Sequence, residues 1–186
     1  MPVRGKWLAG VGVAMAAAAL AAVPAAPSDA TAAQRQAAPP PLQQLTLRLA
    51  ADPGQIADVR GASQADGAEV IQWASSNGRN ARWTTEDMGG GYVRLAAVHS
   101  GKCIDVRGAA TADDSDVIQW TCSTGTNQQW RFVAKGNGYQ IAARHSGKCL
   151  NVRGGTGQGN RLIQYSCTSA GAANDVWLPV WEPTTV

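Results

Sequence analysis

An acid, an aromatic ring and an amide recur along this chain at nearly fixed spacing. Asp58, Trp73 and Asn80 are separated by 15 and then 7 residues, and Asp105, Trp120 and Asn127 repeat those intervals. Asn151, Tyr165 and Asn174 form a third set, with a loop two residues longer before the last asparagine. A carboxylate or amide can hold hydrogen-bonding groups of a ligand, while a nearby aromatic face offers a surface for stacking. Three such sets imply three similar binding pockets rather than one catalytic centre.

Repeated phrases carry these residues. Ala57-Asp58-Val59-Arg60-Gly61, Ile104-Asp105-Val106-Arg107-Gly108 and Leu150-Asn151-Val152-Arg153-Gly154 are followed by Ile71-Gln72-Trp73, Ile118-Gln119-Trp120 and Ile163-Gln164-Tyr165. Trp83, Trp130 and Trp177 come next, and equivalent positions lie 45 to 47 residues apart, so one structural unit is copied three times. Segments are short and rich in Val, Ile, Thr and aromatics. Asn77-Gly78, Gly89-Gly90-Gly91 and Gly136-Asn137-Gly138 punctuate them as turns. No stretch after the first 30 residues keeps helical periodicity over three turns, which predicts an all-β domain of many short strands. Three units are few for a propeller, and no capping units for an open solenoid are visible. Closure around a pseudo-threefold axis buries three equivalent faces in one core. Trp83, Trp130, Trp177 and Ile71, Ile118, Ile163 are assigned to that core. Gly61, Gly108 and Gly154 meet a turn's backbone requirement. Arg60, Arg107 and Arg153 are expected to hold the loops.

The ends read differently. Arg4 and Lys6 precede an apolar and glycine run from Trp7 to Val23, closed by Pro24. That is the layout of a secretory signal peptide over residues 1–30, with cleavage expected after Ala30 or Ala32. The run is shorter than a membrane span needs. Residues 31–44, rich in Ala, Gln and Pro, read as a disordered linker. One domain is expected over 45–186, with repeats at about 45–91, 92–138 and 139–186. The chain carries 16 Lys and Arg against 13 Asp and Glu, with no basic cluster, so the electrostatic footprint of nucleic-acid binding is missing. Cys103, Cys122, Cys149 and Cys167 fall as one pair in each of the last two copies. In an exported chain this reads most simply as Cys103–Cys122 and Cys149–Cys167, each closing a loop worth about 3 kcal/mol. The first copy has Ile56 and Ser75 at those places and must hold by packing. His99 and His145, in two His-Ser-Gly-Lys-Cys phrases, could join the cysteines around zinc. The disulfide pairing explains the thiols without metal, and the histidines are placed in turns; no metal or cofactor is expected.

With these residues in hand, the chain resembles the ricin-type β-trefoil lectins, also described as a carbohydrate-binding module family. Ser146-Gly147-Lys148-Cys149-Leu150-Asn151-Val152-Arg153-Gly154, Ile118-Gln119-Trp120-Thr121-Cys122 and the Gln-x-Trp signature in Asn127-Gln128-Gln129-Trp130 carry the resemblance over about 45–180. It implies a β-trefoil of about 12 strands, with up to three shallow sugar sites and no catalytic step. It further implies galactose-type sugars or plant polysaccharide, such as xylan or arabinan, as ligands. With the signal peptide removed, the chain is expected to be a secreted monomer free of the membrane. By the same resemblance the Asp orients the sugar, the aromatic stacks on its C–H face, and the Asn adds a hydrogen bond. The second copy is expected to be strongest, with Asp105, Trp120, Asn127 and Gln128 braced by a cysteine pair. The first keeps Asp58, Trp73 and Asn80 but has Ala81-Arg82-Trp83 for the signature. The third, with Asn151, Tyr165 and Asn174, loses the charge-assisted bond.

Two rival functions are weighed. A glycosidase needs two carboxyls facing one bond. Glu69, Glu86, Asp87, Asp113, Asp114 and Asp116 are expected in turns without a matching partner arrangement, and neither a nucleophile elbow nor a phosphate loop is present. The other rival is a β-trefoil that binds protein, as an inhibitor or toxin accessory subunit does. The retained pocket residues of the second copy argue against it. An alternative local role for Asp58 and Asp105 is to cap backbone N–H groups.

Overall fold

The computed structural model describes residues 44–182. The expected signal peptide, all of the expected linker except Gln44, and the last four residues lie outside that range. Among these residues twelve strands follow one another, and the helical elements between them are four short 3₁₀ turns. The first third holds β1 (Gln44–Leu49), β2 (Gln55–Val59), β3 (Val70–Ala74) and β4 (Trp83–Asp87). The second holds β5 (Val93–Ala97), β6 (Cys103–Val106), β7 (Ser115–Trp120) and β8 (Gln129–Lys135), and the third β9 (Gly138–Ala143), β10 (Cys149–Val152), β11 (Leu162–Tyr165) and β12 (Trp177–Glu182). β1 begins at Gln44, within the stretch read as linker.

The outer strands of each third close on one another. β1 pairs with β4, β4 with β5, β5 with β8, β8 with β9, β9 with β12, and β12 with β1, all antiparallel. A six-stranded barrel results, and closure removes the unpaired edges that an open sheet would present. The inner strands form three hairpins, β2–β3, β6–β7 and β10–β11, that cap one end of the barrel. They meet around the axis through Glu69↔Ile118, Asp116↔Ile163 and Ile71↔Arg161. This is a β-trefoil. Leu45, Leu47 and Leu49 alternate into the barrel, where they join Leu95, Ile141 and the three tryptophans. Ala57, Val59, Ile104, Val106, Leu150 and Val152 close the interior from the hairpin side.

Trp83, Trp130 and Trp177 are fully buried at equivalent places. The Trp130 indole donates to Ile104 O at 3.2 Å and the Trp177 indole to Leu150 O at 3.0 Å. Trp83 Nε1 is buried without an acceptor. Phenylalanine at either site loses the same volume, but at Trp130 it also strands a buried carbonyl. Trp130→Phe is therefore expected to cost about 1 kcal/mol more stability than Trp83→Phe in urea unfolding. Equal losses would show that the indole bond is immaterial. The disulfides are Cys103–Cys122 and Cys149–Cys167. Among the described residues no helix is long and apolar enough to cross a membrane.

Candidate functional site

Strand pairing brings each acid, aromatic and amide together at the outer face of a hairpin. In the second third, Asp105 on β6 lies opposite Ile118 on β7, and Trp120 ends β7. Asp105 is buried, and its Oδ2 accepts from Asn127 Nδ2 and Gln128 Nε2, each at 2.8 Å. Both amides go to Oδ2, and among the described residues no group donates to Oδ1. Asn127 also donates to Val106 O at 3.2 Å. Gln128, fully buried, stands behind the carboxylate and reaches Thr121 O at 3.1 Å while Ser123 N donates to its Oε1 at 2.7 Å. The Trp120 ring is 46% exposed. Asp105, Arg107, Ile118, Trp120 and Asn127 line a cavity of about 640 Å³. The Cys103–Cys122 disulfide ties the two sides of this hairpin at its open end.

The first third repeats the arrangement with fewer braces. Asn80 Nδ2 donates to both oxygens of Asp58, at 2.8 and 2.9 Å, and to Val59 O at 3.0 Å. Position 81, equivalent to Gln128, is a buried alanine that gives the carboxylate no second amide. Asp58, Arg60, Ile71, Trp73 and Asn80 line a cavity of about 400 Å³, and the Trp73 ring is exposed. In the last third Asn174 Nδ2 donates to Asn151 Oδ1 at 2.7 Å and to Val152 O at 2.9 Å, beside an exposed Tyr165. Asp175 replaces Gln128 there. Its carboxylate turns away from Asn151 to accept from Gln140 Nε2, Thr168 N and Oγ1, and Ala172 N. No backbone N–H donates to Asp58 or Asp105 among the described residues, so the capping alternative finds no support.

Burial raises both acids. The Asp58 carboxyl is pushed up to about 6 by loss of water, opposed by the Asn80 bond. Asp105 is raised by the same cause, opposed by Gln128, Asn127 and the charges of His145 and Arg107. Each pocket thus offers a desolvated acceptor beside an exposed ring over an apolar isoleucine floor. Such a site can bind a ligand with one apolar face and a hydroxyl-bearing edge.

Several residues stand elsewhere than the sequence reading placed them. Glu86 and Asp87 lie on β4 and Asp116 on β7, not in turns. Glu69, Asp116 and Arg161 occupy equivalent positions and converge near the axis: Arg161 lies 2.8 Å from Glu69 and 3.6 Å from Asp116. Arg60 pairs with Glu69 at 2.7 Å, and Arg153 with Asp114 at 2.8 Å. Glu69, Asp114 and Asp116 thus answer arginines, Glu86 pairs with Arg94, and Asp87 accepts from Gly89 N at 2.9 Å. His99 and His145 do sit in the turns after β5 and β9. Each ring Nε2 donates 2.9 Å to a carbonyl, of Ser63 and Ala110, in the preceding repeat. No group of three potential metal ligands converges among the described residues. Sequence reading also missed Gln119 and Gln164, which are completely buried beside the ring-bearing residues.

Comparison with known proteins places this architecture. The ricin-type β-trefoil lectin domain-like family matches over residues 42–120, 88–166 and 126–185, and the chain belongs to that family. Among solved structures, the designed three-fold symmetric protein ThreeFoil is 45% identical, with a TM-score of 0.70 over 74% of this chain and 97% of its own. An exo-β-1,3-galactanase from Clostridium thermocellum is 33% identical with a TM-score of 0.70, over 77% of this chain but only 31% of the enzyme. The C-half of the earthworm R-type lectin, solved with GalNAc, shares the fold at 15% identity, with a TM-score of 0.60 over 75% of this chain and 99% of its own. Among curated proteins no match was found.

Proposed function

We propose that this chain is a secreted, non-catalytic carbohydrate-binding module for galactose-type sugars, with up to three sites and the strongest in the second repeat. The observation that carries this reading is the Asp105 site, where one carboxylate oxygen is held by two amides and the other is open beside an exposed Trp120. A pyranose would lay its C–H face on the indole and donate two neighbouring hydroxyls to the carboxylate. Support for the sugar class comes from the earthworm lectin's GalNAc complex and from the galactanase, of which the matched part is a minor share. Xylan and arabinan remain ligands to test beside galactosides. The two disulfides favour an oxidising compartment, in keeping with export. A site of one stacked ring and a few hydrogen bonds supports millimolar to tens-of-micromolar affinity, roughly −4 to −6 kcal/mol. Retention on a polysaccharide would then rest on two or three sites engaging together. A glycan array followed by calorimetric titration is the test, with hits expected among terminal galactosides. No hits, together with capture of a defined protein partner, would replace this reading with that of a protein-binding trefoil.

A further inference from the structure

The loop that follows the Arg-Gly turn of one repeat does not stay with its own hairpin. In the first repeat it crosses to β7. Gly67 N donates to Gln119 O at 2.9 Å, Gln119 N to Ala68 O at 2.8 Å, and Arg107 Nη2 to Gly67 O at 3.3 Å. The Gln119 side chain sends Nε2 to Ser63 O and Ala65 O, at 2.7 and 2.9 Å, and receives Ser100 Oγ on its Oε1 at 2.8 Å. A side-chain carbon at Gly67 would stand 3.8 Å from Trp120 Cζ3, so the loop lies along the edge of the ring.

The same interlock recurs at the next boundary. Asp114 N donates to Gln164 O at 3.0 Å, and Gln164 Nε2 to Ala110 O and Ala112 O at 2.7 and 2.9 Å. It closes again from the third repeat to the first, where Gly159 N donates to Gln72 O at 2.7 Å and Arg60 Nη2 to Gly159 O at 2.9 Å. At two of the three boundaries an aspartate completes it. Asp66 accepts from Thr121 N at 2.8 Å, from Thr121 Oγ1 at 3.0 Å and from Lys102 Nζ at 2.7 Å. Asp113 accepts from Ser166 N at 2.8 Å, from Ser166 Oγ at 3.1 Å and from Lys148 Nζ at 2.6 Å. Thr121 and Ser166 directly follow Trp120 and Tyr165. At the first site Ala74 follows Trp73, and in the place of an aspartate the third repeat offers Gly157 N, which donates to Gln72 Oε1 at 3.0 Å.

An exposed ring at the end of a strand has torsional freedom that a ligand must remove on binding. We propose that each binding site is shared between two repeats, with Asp66 and Asp113 acting as positioning residues for the Trp120 and Tyr165 platforms of the repeat that follows. The inference rests on the carbohydrate-binding reading, and it makes a prediction opposite to that of independent repeats. A change in the first repeat should impair the second site and spare the first.

The experiment is Asp66→Asn in the full chain, read through the ¹⁵N indole signals of Trp73 and Trp120 with lactose as the probe. In the ligand-free variant the Trp120 signal is expected to shift or broaden while that of Trp73 stays. Lactose affinity reported by Trp120 is expected to fall about three- to tenfold, with that reported by Trp73 unchanged. Asp113→Asn should leave both indoles in place and weaken only the Tyr165 site, which guards against a general loosening of the fold. An unmoved Trp120 signal in Asp66→Asn, or equal movement of both indoles, would overturn the proposal. If the unsubstituted protein binds no lactose, the carbohydrate reading suffers, and the ligand-free indole signals still decide the positioning.

Discussion

Trp120→Ala is expected to weaken binding of a galactoside at the second site tenfold or more, equivalent to at least about 1.4 kcal/mol. The ring is nearly half exposed, so its removal takes away the stacking face without opening the core. Asp105 would keep its two amide donors and its open oxygen, and the loss would report the platform alone. Tyr165→Ala is expected to cost less. The third site has no carboxylate at its floor, and Asn151 Oδ1 already accepts from Asn174 at 2.7 Å. A neutral amide whose acceptor is occupied gains less from sugar hydroxyls than a desolvated carboxylate does. Calorimetric titration of the two variants measures the difference. Equal and negligible losses on galactose-agarose and on insoluble xylan would refute the ranking.

How much of this was legible beforehand depends on whether a residue's partner lies within its own repeat. The trefoil was legible because triplication forces equivalent strands into equivalent places, and the three buried tryptophans mark the same point in each. That each acid and amide belong to one copy was legible for the same reason. The 2.8 Å bonds from Asn80 to Asp58 and from Asn127 to Asp105 were not legible, since the sequence reading assigns both asparagines to the sugar. Gln119 and Gln164 were not, because their partners are backbone carbonyls 54 and 56 positions away for Gln119 and 52 and 54 for Gln164. Backbone carbonyls leave no trace in side-chain identity. His99 and His145 carried the same hidden partnership, which made a metal reading worth weighing. The axial cluster did leave a trace. Glu69, Asp116 and Arg161 share one position in the three copies, and opposite charges at a threefold position predict an ion pair when the copies meet. The missing acceptor of Trp83 and the raised acid of Asp58 depend on exact distances and on burial, and neither could be read from composition.

Acidification should separate the affinity of the first site from the stability of the fold. Burial pushes the Asp58 carboxyl from the ordinary carboxylate range up to about 6, with Asn80 opposing the shift. A carboxyl raised on folding contributes stability that is fully present below its unfolded value and is lost as pH rises through the folded one. Lowering the pH from 7 to 5 therefore adds stability through this group. Sugar hydroxyls donate to the ionised form, so the same change removes the acceptor. With Trp120→Ala and Tyr165→Ala combined to isolate the first site, affinity is expected to fall roughly tenfold between pH 7 and pH 5, following the ionised fraction. Asp58 is the better reporter because Asp105 feels the nearby charges of His145 and Arg107 as well. Asp58→Asn in the same background should bind more weakly at pH 7 and show no such dependence. A pH profile surviving that substitution would mean that another group sets it, and Asp58 would lose its place as the sugar's acceptor.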